Sequence, residues 1–587
     1  MKILRRIKST FLSIRKSIKR FPITVLISTV LALSLIYLNE VEVDVDTLDK
    51  LIRLNMVLGL SILLSLCIGL FVEITFSHNR LISTMLYLGG GAFLVFYYNF
   101  YLQNLNTAAV SRYFGLVIFF ILAFLYIPRL REKDDYEYYI LDVYYGFALT
   151  VTYALVLFIG LSAIFLTINQ LFEVEIPGKL YYYIFLILSL VFAVSLFLAN
   201  LPSVEEKYKN AQYNKSLRVL LTFIVIPLIS IYSAILYVYF AKILLIREWP
   251  KGLVSHLVIW YSTVSVGVIF LLNPIINSNK VANTFKKIFP KAVLPILLMM
   301  FISIFQRIFQ YGITENRYYI VVLGFWVLGI MIYFSAKRNY NNAIIPISLS
   351  LLVLVSVFGP FSSFAISKYS QNKRLQEILV RNSMLVNGTI IPNADVSQEH
   401  KKEISNIINY FSQNHELGDI KILPDGFAVD DMENVMGFKY IPYNLDPYER
   451  DRYFYFATNS QEPIDINDFQ YYLNMNSWDE ELKEIGGYTI SYNREKSILT
   501  VRGNGEEILQ QDLRVFVKEI YAKENMGIDI KKNFLDMEDM TFEFSYIDSA
   551  KVIKFKIIFL SVNGRVEGDN NIMLEGVDYI LLMGKTE

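Results

Sequence analysis

The chain has 587 residues, of which 54% are hydrophobic and only 19% charged, and its formal net charge is +1. Soluble domains carry about 25% charged residues, so this composition excludes an ordinary soluble protein, and also a collagen-like or disordered one. The single cysteine, Cys67, excludes an intramolecular disulfide, and the four histidines lack helical metal-ligand spacing. We therefore expect neither a metal site nor a cofactor.

Residues 1–20 are predicted to form a basic amphipathic cytoplasmic segment. Apolar residues recur every three or four positions with Lys and Arg between them, at Ile3, Ile7, Phe11, Ile14 and Ile18. This spacing favours a helix that lies on an anionic membrane surface. The alternative is that the basic residues only fix the membrane topology.

Residues 21–360 are predicted to form a polytopic transmembrane domain. A hydrocarbon core of about 30 Å needs about 20 mostly apolar residues per helix. Eleven runs satisfy this requirement: 21–38, 54–76, 82–101, 112–128, 143–168, 180–200, 218–244, 253–272, 292–310, 318–335 and 344–360. The sequence thus predicts a membrane all-α bundle of about 11 transmembrane helices, and an error of one span would fall at 318–360.

The distribution of basic residues predicts the orientation. Up to residue 367 there are 31 Lys and Arg against 17 Asp and Glu, a difference of +14, whereas after it there are 24 against 37, a difference of −13. With the N-terminus inside, 22 of those 31 basic residues fall on predicted cytoplasmic segments and nine do not, as the positive-inside rule requires. Eleven spans then place the C-terminus outside a bacterial plasma membrane.

The chain changes character after Pro360. Residues 361–385 are predicted to form a connecting helical segment, and residues 386–587 a soluble extracytoplasmic α+β domain. Amphipathic helices are predicted at 370–382 and 398–414, and a further helix at Asp512–Glu519. Strands are predicted at Phe438–Tyr443, Tyr453–Ala457, Tyr488–Tyr492, Ser497–Val501, Thr541–Tyr546, Val552–Val562 and Val577–Met583. The acidic composition excludes nucleic acid as an expected partner.

Three stretches and one short motif carry a resemblance to a known family. They are Trp249-Pro250-Lys251-Gly252-Leu253-Val254-Ser255, Tyr311-Gly312-Ile313-Thr314-Glu315-Asn316-Arg317-Tyr318-Tyr319, Phe358-Gly359-Pro360-Phe361-Ser362-Ser363-Phe364 and Arg20-Phe21-Pro22. With them the chain resembles the bacterial domain-of-unknown-function family numbered 4153. The resemblance implies a multi-pass inner-membrane protein, permease-like in some members, and it carries no activity with it.

The predicted topology puts these stretches at the outer ends of spans, where they define a candidate binding surface. We call it the outer-face motif: Trp249, Lys251, Arg307, Tyr311, Thr314, Glu315, Arg317 and Tyr318. The other reading is that the stretches are turns and caps, with Thr314 capping a span. Glu315 is expected to pair with an arginine, either Arg307 or one in another outer segment.

Charged residues inside the spans are few and no two of them are predicted to pair. Glu73, Asp142 and Arg307 lie near span ends, from which they can reach water. We therefore expect a non-enzymatic protein of envelope transport, sensing or assembly, with membrane lipids and envelope proteins or a lipid-linked substrate as partners. The alternative is a polyprenyl-phosphate-dependent glycosyl or lipid-head-group transferase, with Asp44 and Asp46 as candidate base or metal ligands.

Overall fold

The computed structural model describes residues 15, 17–41, 43–76, 79–130, 136–172, 176–203, 213–246, 253–337, 341–441, 452–458, 463–476, 482–503, 505–524, 534–548, 551–567 and 571–586. Most of the predicted basic segment 1–20 lies outside these residues, and so do Trp249 and Lys251 of the outer-face motif.

Ten of the described helices are long and apolar enough to cross a membrane. They are α1 (Pro22–Glu40), α2 (Val45–Thr75), α3 (Arg80–Tyr101), α4 (Thr107–Tyr126), α5 (Tyr136–Phe172), α6 (Lys179–Asn200), α7 (Lys215–Ile246), α8 (Leu253–Leu272), α9 (Lys280–Tyr311) and α10 (Glu315–Ala336). They coincide with the first ten predicted runs, which confirms the polytopic helical bundle.

The eleventh predicted run forms a shorter helix, α11 (Ile344–Val357), of 14 residues. At 1.5 Å per residue it is about 21 Å long, less than the hydrocarbon thickness of about 30 Å. It packs closely against α4, where the Val357 side chain lies 2.7 Å from the position that a Cβ atom on Gly115 would take. Gly115 therefore allows the two helices to approach.

Polar side chains join several helices of the bundle near their ends. Arg20 precedes α1 and holds Glu73 of α2 through two hydrogen bonds of 3.1 and 3.2 Å. It also donates to the carbonyl oxygens of Leu201 (2.8 Å) and Pro202 (3.1 Å). The partner of Glu73 is thus not another charged residue inside a span but Arg20, which lies before the first predicted span, in the Arg20-Phe21-Pro22 motif.

Two helices depart from α geometry in their interior. Residues 187–193 of α6 and 220–225 of α7 are π-helical. A π segment leaves a backbone carbonyl without its ordinary helical partner. In α6 the Leu190 carbonyl accepts a hydrogen bond from Ser28 of α1 instead, so the irregular turn also joins two spans.

Residues beyond α11 continue with shorter elements. These are α12 (Ser363–Arg381), the hairpin of β1 (Leu385–Val386) and β2 (Thr389–Ile390), α13 (Gln398–Asn414) and α14 (Met432–Met436). The predicted apolar stripe of α13 is buried, with Ile404, Ile407, Ile408 and Phe411 at most 1% exposed. Asn387 and Gly388, with φ angles of 52° and 82°, form the turn that their sequence predicts.

By its internal contacts the chain divides into two compact units, 1–400 with 410–439 and 401–409 with 440–587. The second unit contains β3 (Arg452–Thr458), β4 (Tyr471–Asn476), β5 (Lys483–Ile485), β6 (Tyr488–Asn493), β7 (Ile498–Gly503), β8 (Glu506–Asp512), α15 (Leu513–Glu524), β9 (Phe534–Leu535), β10 (Thr541–Asp548), β11 (Lys551–Glu567) and β12 (Asn571–Thr586).

Two sheets build the second unit. The larger has strand order β4-β12-β11-β3-β9, with β10 paired to β11, and the smaller is the antiparallel meander β5-β6-β7-β8. Both contribute to one core, in which Ile490, Val501, Ile557 and Leu581 are fully buried. Helix α15 adds Leu513 and Val517 to this core. The predicted α+β class is thus confirmed.

Six of the seven predicted strands have counterparts in these sheets, as does the helix predicted at Asp512–Glu519. The exception is Phe438–Tyr443, whose described part, Phe438–Ile441, is not a strand. Its apolar residues have a β-like pattern, but this part of the chain follows Gly437, which ends α14 in a left-handed conformation with φ of 83°.

Candidate functional site

The described part of the outer-face motif lies where α9 ends and α10 begins. Helix α9 ends at Tyr311, and Gly312 then adopts a φ of 72°, which a residue with a side chain rarely does. Thr314 occupies the N-cap position of α10, although its side chain makes no capping hydrogen bond. The two spans are therefore joined by a short, sharply turned connection.

The backbone oxygens of this connection are held by side chains from α10 and α12. Arg317 donates to the carbonyls of Tyr311 (3.2 Å) and Gly312 (2.8 Å). Gln371, which is buried, donates to the carbonyls of Tyr311 (3.1 Å) and Ile313 (3.0 Å). The guanidiniums of Arg317 and Arg374 both lie over the Tyr311 ring, at 5.6 and 5.7 Å. The end of α9 is thus capped by cations and an amide, as a helix C-terminus favours.

The second and third of the stretches that carry the family resemblance meet in the structure. Tyr318 donates to the carbonyl of Phe361 at 2.6 Å, and the Tyr319 hydroxyl lies 3.0 Å from that of Ser363. The start of α10 is thereby fastened to the turn before α12 and to its first residue. In this respect the stretches act as structural joints.

Glu315, the first residue of α10, is the centre of a side-chain network, here called the Glu315 network: Glu315, Ser367, Tyr410 and His415. Its carboxylate accepts hydrogen bonds from Ser367 of α12 (2.6 Å) and from Tyr410 of α13 (2.7 Å to each oxygen). The Nε2 atom of His415 lies 2.8 Å from the same carboxylate and 3.0 Å from the Tyr410 hydroxyl. Three donors from two elements therefore converge on one acceptor.

The network is largely shielded from solvent. The His415 side chain is 1% exposed and that of Glu315 is 16% exposed, while Ser367 is completely buried. Aromatic rings surround the imidazole, those of Phe364, Tyr410 and Phe411 having centroids within 6 Å of its own. Burial raises the pKa of Tyr410 above its ordinary value, so this hydroxyl keeps its proton and remains a donor.

The expectation of an arginine partner for Glu315 is corrected by this geometry. The ring nitrogen that contacts the carboxylate belongs to His415, one hundred positions later in the chain. Arg317 points instead to the carbonyls at the end of α9, because those oxygens have no helical N–H partner. Arg307 is half-buried on α9 and is not among the side chains that form the network.

The arrangement is suited to holding or moving a proton. The Ser367 hydroxyl donates to the carboxylate, so it is not activated by a neighbouring base as a nucleophilic serine would be. The carboxylate, imidazole and phenol are instead connected in one hydrogen-bonded chain. The hydrogen bonds of such a chain depend on which of its groups hold a proton.

Asp44 and Asp46, the alternative catalytic residues, lie at the start of α2. Asp44 is its N-cap and accepts from the Thr47 amide at 3.1 Å. Hydrogen bonding to Thr47 lowers the pKa of this exposed carboxyl, which makes it a weaker base. In the described part of the chain, neither residue belongs to a cluster of three or more His, Cys, Asp or Glu side chains. The structure therefore explains Asp44 as a helix cap.

Sequence reasoning missed Ser367, Tyr410 and His415. Ser367 lies in one amphipathic helix and His415 directly follows another, and neither belongs to a recognisable motif. Their contact with Glu315 depends on how α12 and α13 pack against the start of α10. The only available signal was Tyr410, a polar aromatic residue beside Phe411 of the predicted buried stripe.

Comparison with known proteins gives a family and no activity. The chain is 23% identical to an uncharacterised protein of Pasteurella multocida (strain Pm70) over 428 residues, which cover 70% of this chain and 73% of the relative. No solved structure matches it. The sequence pattern of the domain of unknown function DUF4153 matches residues 24–387, which include α1–α12 and the outer-face motif. Together with its ten apolar helices, this match shows that the chain is a multi-pass membrane protein that belongs to the DUF4153 family.

Proposed function

We propose that this protein senses proton concentration in the bacterial envelope through the Glu315 network. The observation that carries the proposal is the contact of 2.8 Å between a carboxylate and an imidazole whose side chain is 1% exposed. A buried pair of this kind changes its interactions when either group gains or loses a proton. Of the three roles expected from the sequence, sensing is the one that this geometry favours.

The direction of the response follows from the hydrogen bonds. When Glu315 is ionised, Ser367, Tyr410 and His415 all donate to it. When Glu315 is protonated, one of its oxygens becomes a donor facing other donors, and the network loses at least one hydrogen bond. A protonated His415 strengthens the ionised network, whereas protonation of both groups removes the ion pair. Burial acts to raise the pKa of Glu315, but hydrogen bonds from His415, Ser367 and Tyr410 hold that pKa below its ordinary value. Glu315 therefore stays ionised at pH 5, and a proton gained by the imidazole should tighten the network.

The network is placed to pass such a change along the chain. It joins the start of α10 to α12 and to the end of α13. The chain then runs through 410–439, which is secured to α12 by Lys368–Asp419 at 2.5 Å and by Asn372, which donates to the Asp419 carbonyl at 3.0 Å. Tightening at Glu315 would strengthen one of the attachments of this segment.

The predicted orientation completes the proposal. With the N-terminus cytoplasmic, the start of α10 and the segment after α11 face the outside of the plasma membrane, where the pH varies most. Membrane lipids surround the bundle, and the residues after 440 are then available to envelope proteins. The transferase alternative receives no support from Asp44, which acts as a helix cap.

The proposal is tested by hydrogen–deuterium exchange on the full chain in lipid nanodiscs at pH 7.5 and pH 5. After correction for the intrinsic exchange rate, which falls as the pH is lowered, we expect residues 410–439 to be more protected at the lower pH in the wild type. In His415→Gln this pH dependence should be lost, because glutamine can donate to Glu315 but does not titrate. His400→Gln is the matched control, since His400 lies in the first turn of α13 and its ring contacts Asn382, outside the Glu315 network, at 3.0 Å.

The result that would overturn the proposal is an equal increase of protection at pH 5 in the wild type and His415→Gln. No change with pH in the wild type would have the same consequence. Melting temperatures measured in parallel at pH 7.5 show whether His415→Gln folds, and Glu315→Gln provides a second variant with one titratable group removed from the same network.

A further inference from the structure

Buried polar atoms without partners lie at one end of α2, α3 and α4. The side-chain amide of Asn55 has neither a donor nor an acceptor partner in the described part of the chain, although the residue is only 8% exposed. The Tyr97 hydroxyl and the Arg112 Nε atom are also buried without a partner there. Buried polar groups are nearly always hydrogen-bonded, so several unpaired ones in one place point to a missing ligand. Together with Arg53 we call these residues the three-helix polar cluster.

The residues of the cluster come from the same end of the three helices. Arg53 and Asn55 lie near the start of α2, Tyr97 one turn before the end of α3, and Arg112 in the second turn of α4. Arg53 donates to the carbonyls of Leu102 (3.2 Å) and Gln103 (3.0 Å), directly after α3. These contacts hold the start of α2 against the end of α3.

The cations of the cluster are stacked on aromatic rings of α3. The Arg53 guanidinium lies 5.6 Å from the ring centre of Tyr98, and that of Arg112 lies 5.4 Å from that of Tyr101. Tyr101 itself stacks on Tyr97 with a centroid distance of 5.8 Å. The two guanidiniums and the buried phenol are thus neighbours.

Asn55 faces the same region. It lies four residues before Gly59, so the two share one face of α2. The Tyr113 hydroxyl of α4 is 2.9 Å from the position that a Cβ atom on Gly59 would take. This face of α2 is therefore turned towards the start of α4, where Arg112 lies.

The charge of the cluster favours an anion. Asp49 pairs with Arg53 at 3.4 Å, but its side chain is 45% exposed, and Arg112 has no carboxylate partner in the described structure. Guanidinium groups bind phosphate through several hydrogen bonds in a fixed geometry, and amide and phenol groups add donors.

The surroundings of the cluster are apolar and accessible from the membrane. Phe96 and Phe100 of α3 are 48% and 67% exposed, and their rings contact each other in a tilted arrangement with centroids 4.6 Å apart. Phe96 also contacts Tyr101 edge to face at 6.0 Å. An acyl chain lying along α3 would therefore place its headgroup at the level of the two arginines.

We propose that the three-helix polar cluster binds a phosphate group, with Arg112 as the main cationic contact and Asn55 and Tyr97 as buried hydrogen-bonding partners. The phosphate is carried by an anionic phospholipid headgroup or is free inorganic phosphate. The cluster shares no residue with the Glu315 network, so a failure of this proposal would not affect the proposed sensing function, and the reverse also holds.

The experiment measures the melting temperature of the full chain in a neutral detergent during three titrations. The probes are dihexanoylphosphatidylglycerol, dihexanoylglycerol, which has the same chains without phosphate, and inorganic phosphate. A ligand that binds only the folded state raises the melting temperature with concentration. We expect stabilisation by the phosphate-bearing lipid and none by dihexanoylglycerol.

Variants assign the effect to the cluster. Arg112→Gln and Asn55→Leu should each raise the concentration for half-maximal stabilisation about tenfold or more, because each removes a hydrogen bond to a charged ligand. Arg80→Gln, at the opposite end of α3, should leave it unchanged. If inorganic phosphate alone gives the same Arg112-dependent shift, the ligand is free phosphate, and if only the lipid does, it is a headgroup.

Equal half-maximal concentrations in the wild type, Arg112→Gln and Asn55→Leu would overturn the proposal. Equal stabilisation by dihexanoylglycerol would also overturn it, since that lipid carries no anion. Asn55→Leu keeps the test valid if Arg112→Gln does not fold, because removal of an unpaired amide does not break a contact within the protein.

Discussion

The Glu315 network and the three-helix polar cluster are both sets of polar side chains at helix ends of the first unit, but their hydrogen bonds differ. The Glu315 carboxylate has three donors within 2.8 Å. Asn55, Tyr97 and Arg112 instead keep buried atoms that nothing in the described structure satisfies. The first set is complete within the chain, whereas the second requires a group from outside it.

This difference has an energetic consequence. Removing one member of a satisfied buried network leaves its partners without a hydrogen bond, which destabilises the protein. Removing an unpaired polar group relieves a desolvation penalty that the folded chain already bears. The same kind of substitution should therefore have opposite signs at the two sites, and the following experiments test or refine this contrast.

The largest expected effect is on the signal of topology reporters. If the predicted orientation holds, the Glu315 network and the three-helix polar cluster both lie on the extracytoplasmic side of the membrane. Reporter fusions after residues 45 and 400 should both give an extracytoplasmic signal. The signal from the fusion at residue 400 depends on α11, which is about 21 Å long. It is extracytoplasmic only if α11 crosses the bilayer together with the residues that flank it. An outside signal at 45 with a cytoplasmic signal at 400 would show that α11 does not cross, and the two sets would then need to be placed separately.

Glu315→Gln should give the largest loss of stability. It removes the charge that accepts hydrogen bonds from His415, Tyr410 and Ser367, and the loss of buried hydrogen bonds to a charged group costs about 3 kcal/mol. The melting temperature of the purified full chain should fall clearly at pH 7. Glu377→Gln is the matched control, because Glu377 forms an exposed pair with Lys373 at 4.0 Å and its loss should cost less than about 0.5 kcal/mol. Equal melting temperatures for both variants would mean that the Glu315 network does not stabilise the fold.

Asn55→Leu should leave the ligand-free protein unchanged or stabilise it by about 1 kcal/mol. The amide has no partner to lose, and leucine has a similar volume in an apolar site. The comparison is made by thermal melting in detergent that has been exchanged to remove bound lipid. A loss of more than 1 kcal/mol under these conditions would show that Asn55 is satisfied within the chain, and the contrast between the two sites would disappear.

The smallest expected effect is a change in alkaline pH dependence caused by Tyr410→Phe, in addition to the hydrogen bond to Glu315 that this variant loses at every pH. Burial raises the pKa of Tyr410, so the folded state keeps this proton after the unfolded chain has lost its own near pH 10. The stability that Tyr410 contributes is therefore present below about pH 10 and is lost above it, by up to about 1.4 kcal/mol per pH unit. The fall in melting temperature between pH 8 and pH 10.5 should be smaller in Tyr410→Phe than in the wild type. An identical fall would mean that Tyr410 ionises normally.

Hydrophobic length and periodicity, which are local properties, were readable from the sequence. They predicted the ten long helices, the short apolar run at 344–360, the buried stripe of α13 and six of the seven strands, because each of these depends on residues close together in the chain. The Asn387-Gly388 turn was predicted for the same reason. The family resemblance also followed from short stretches that include Thr314 to Tyr319.

The tertiary structure alone decided which polar groups meet. Glu315 and His415 are one hundred residues apart, and Arg20 reaches Glu73 across two helices. No periodicity encodes such pairs, because they depend on how helices pack and on which donors the packing leaves nearby. For the same reason Asn55 looks ordinary in the sequence. Only the packing of α2 against α3 and α4 removes it from solvent without giving it a partner.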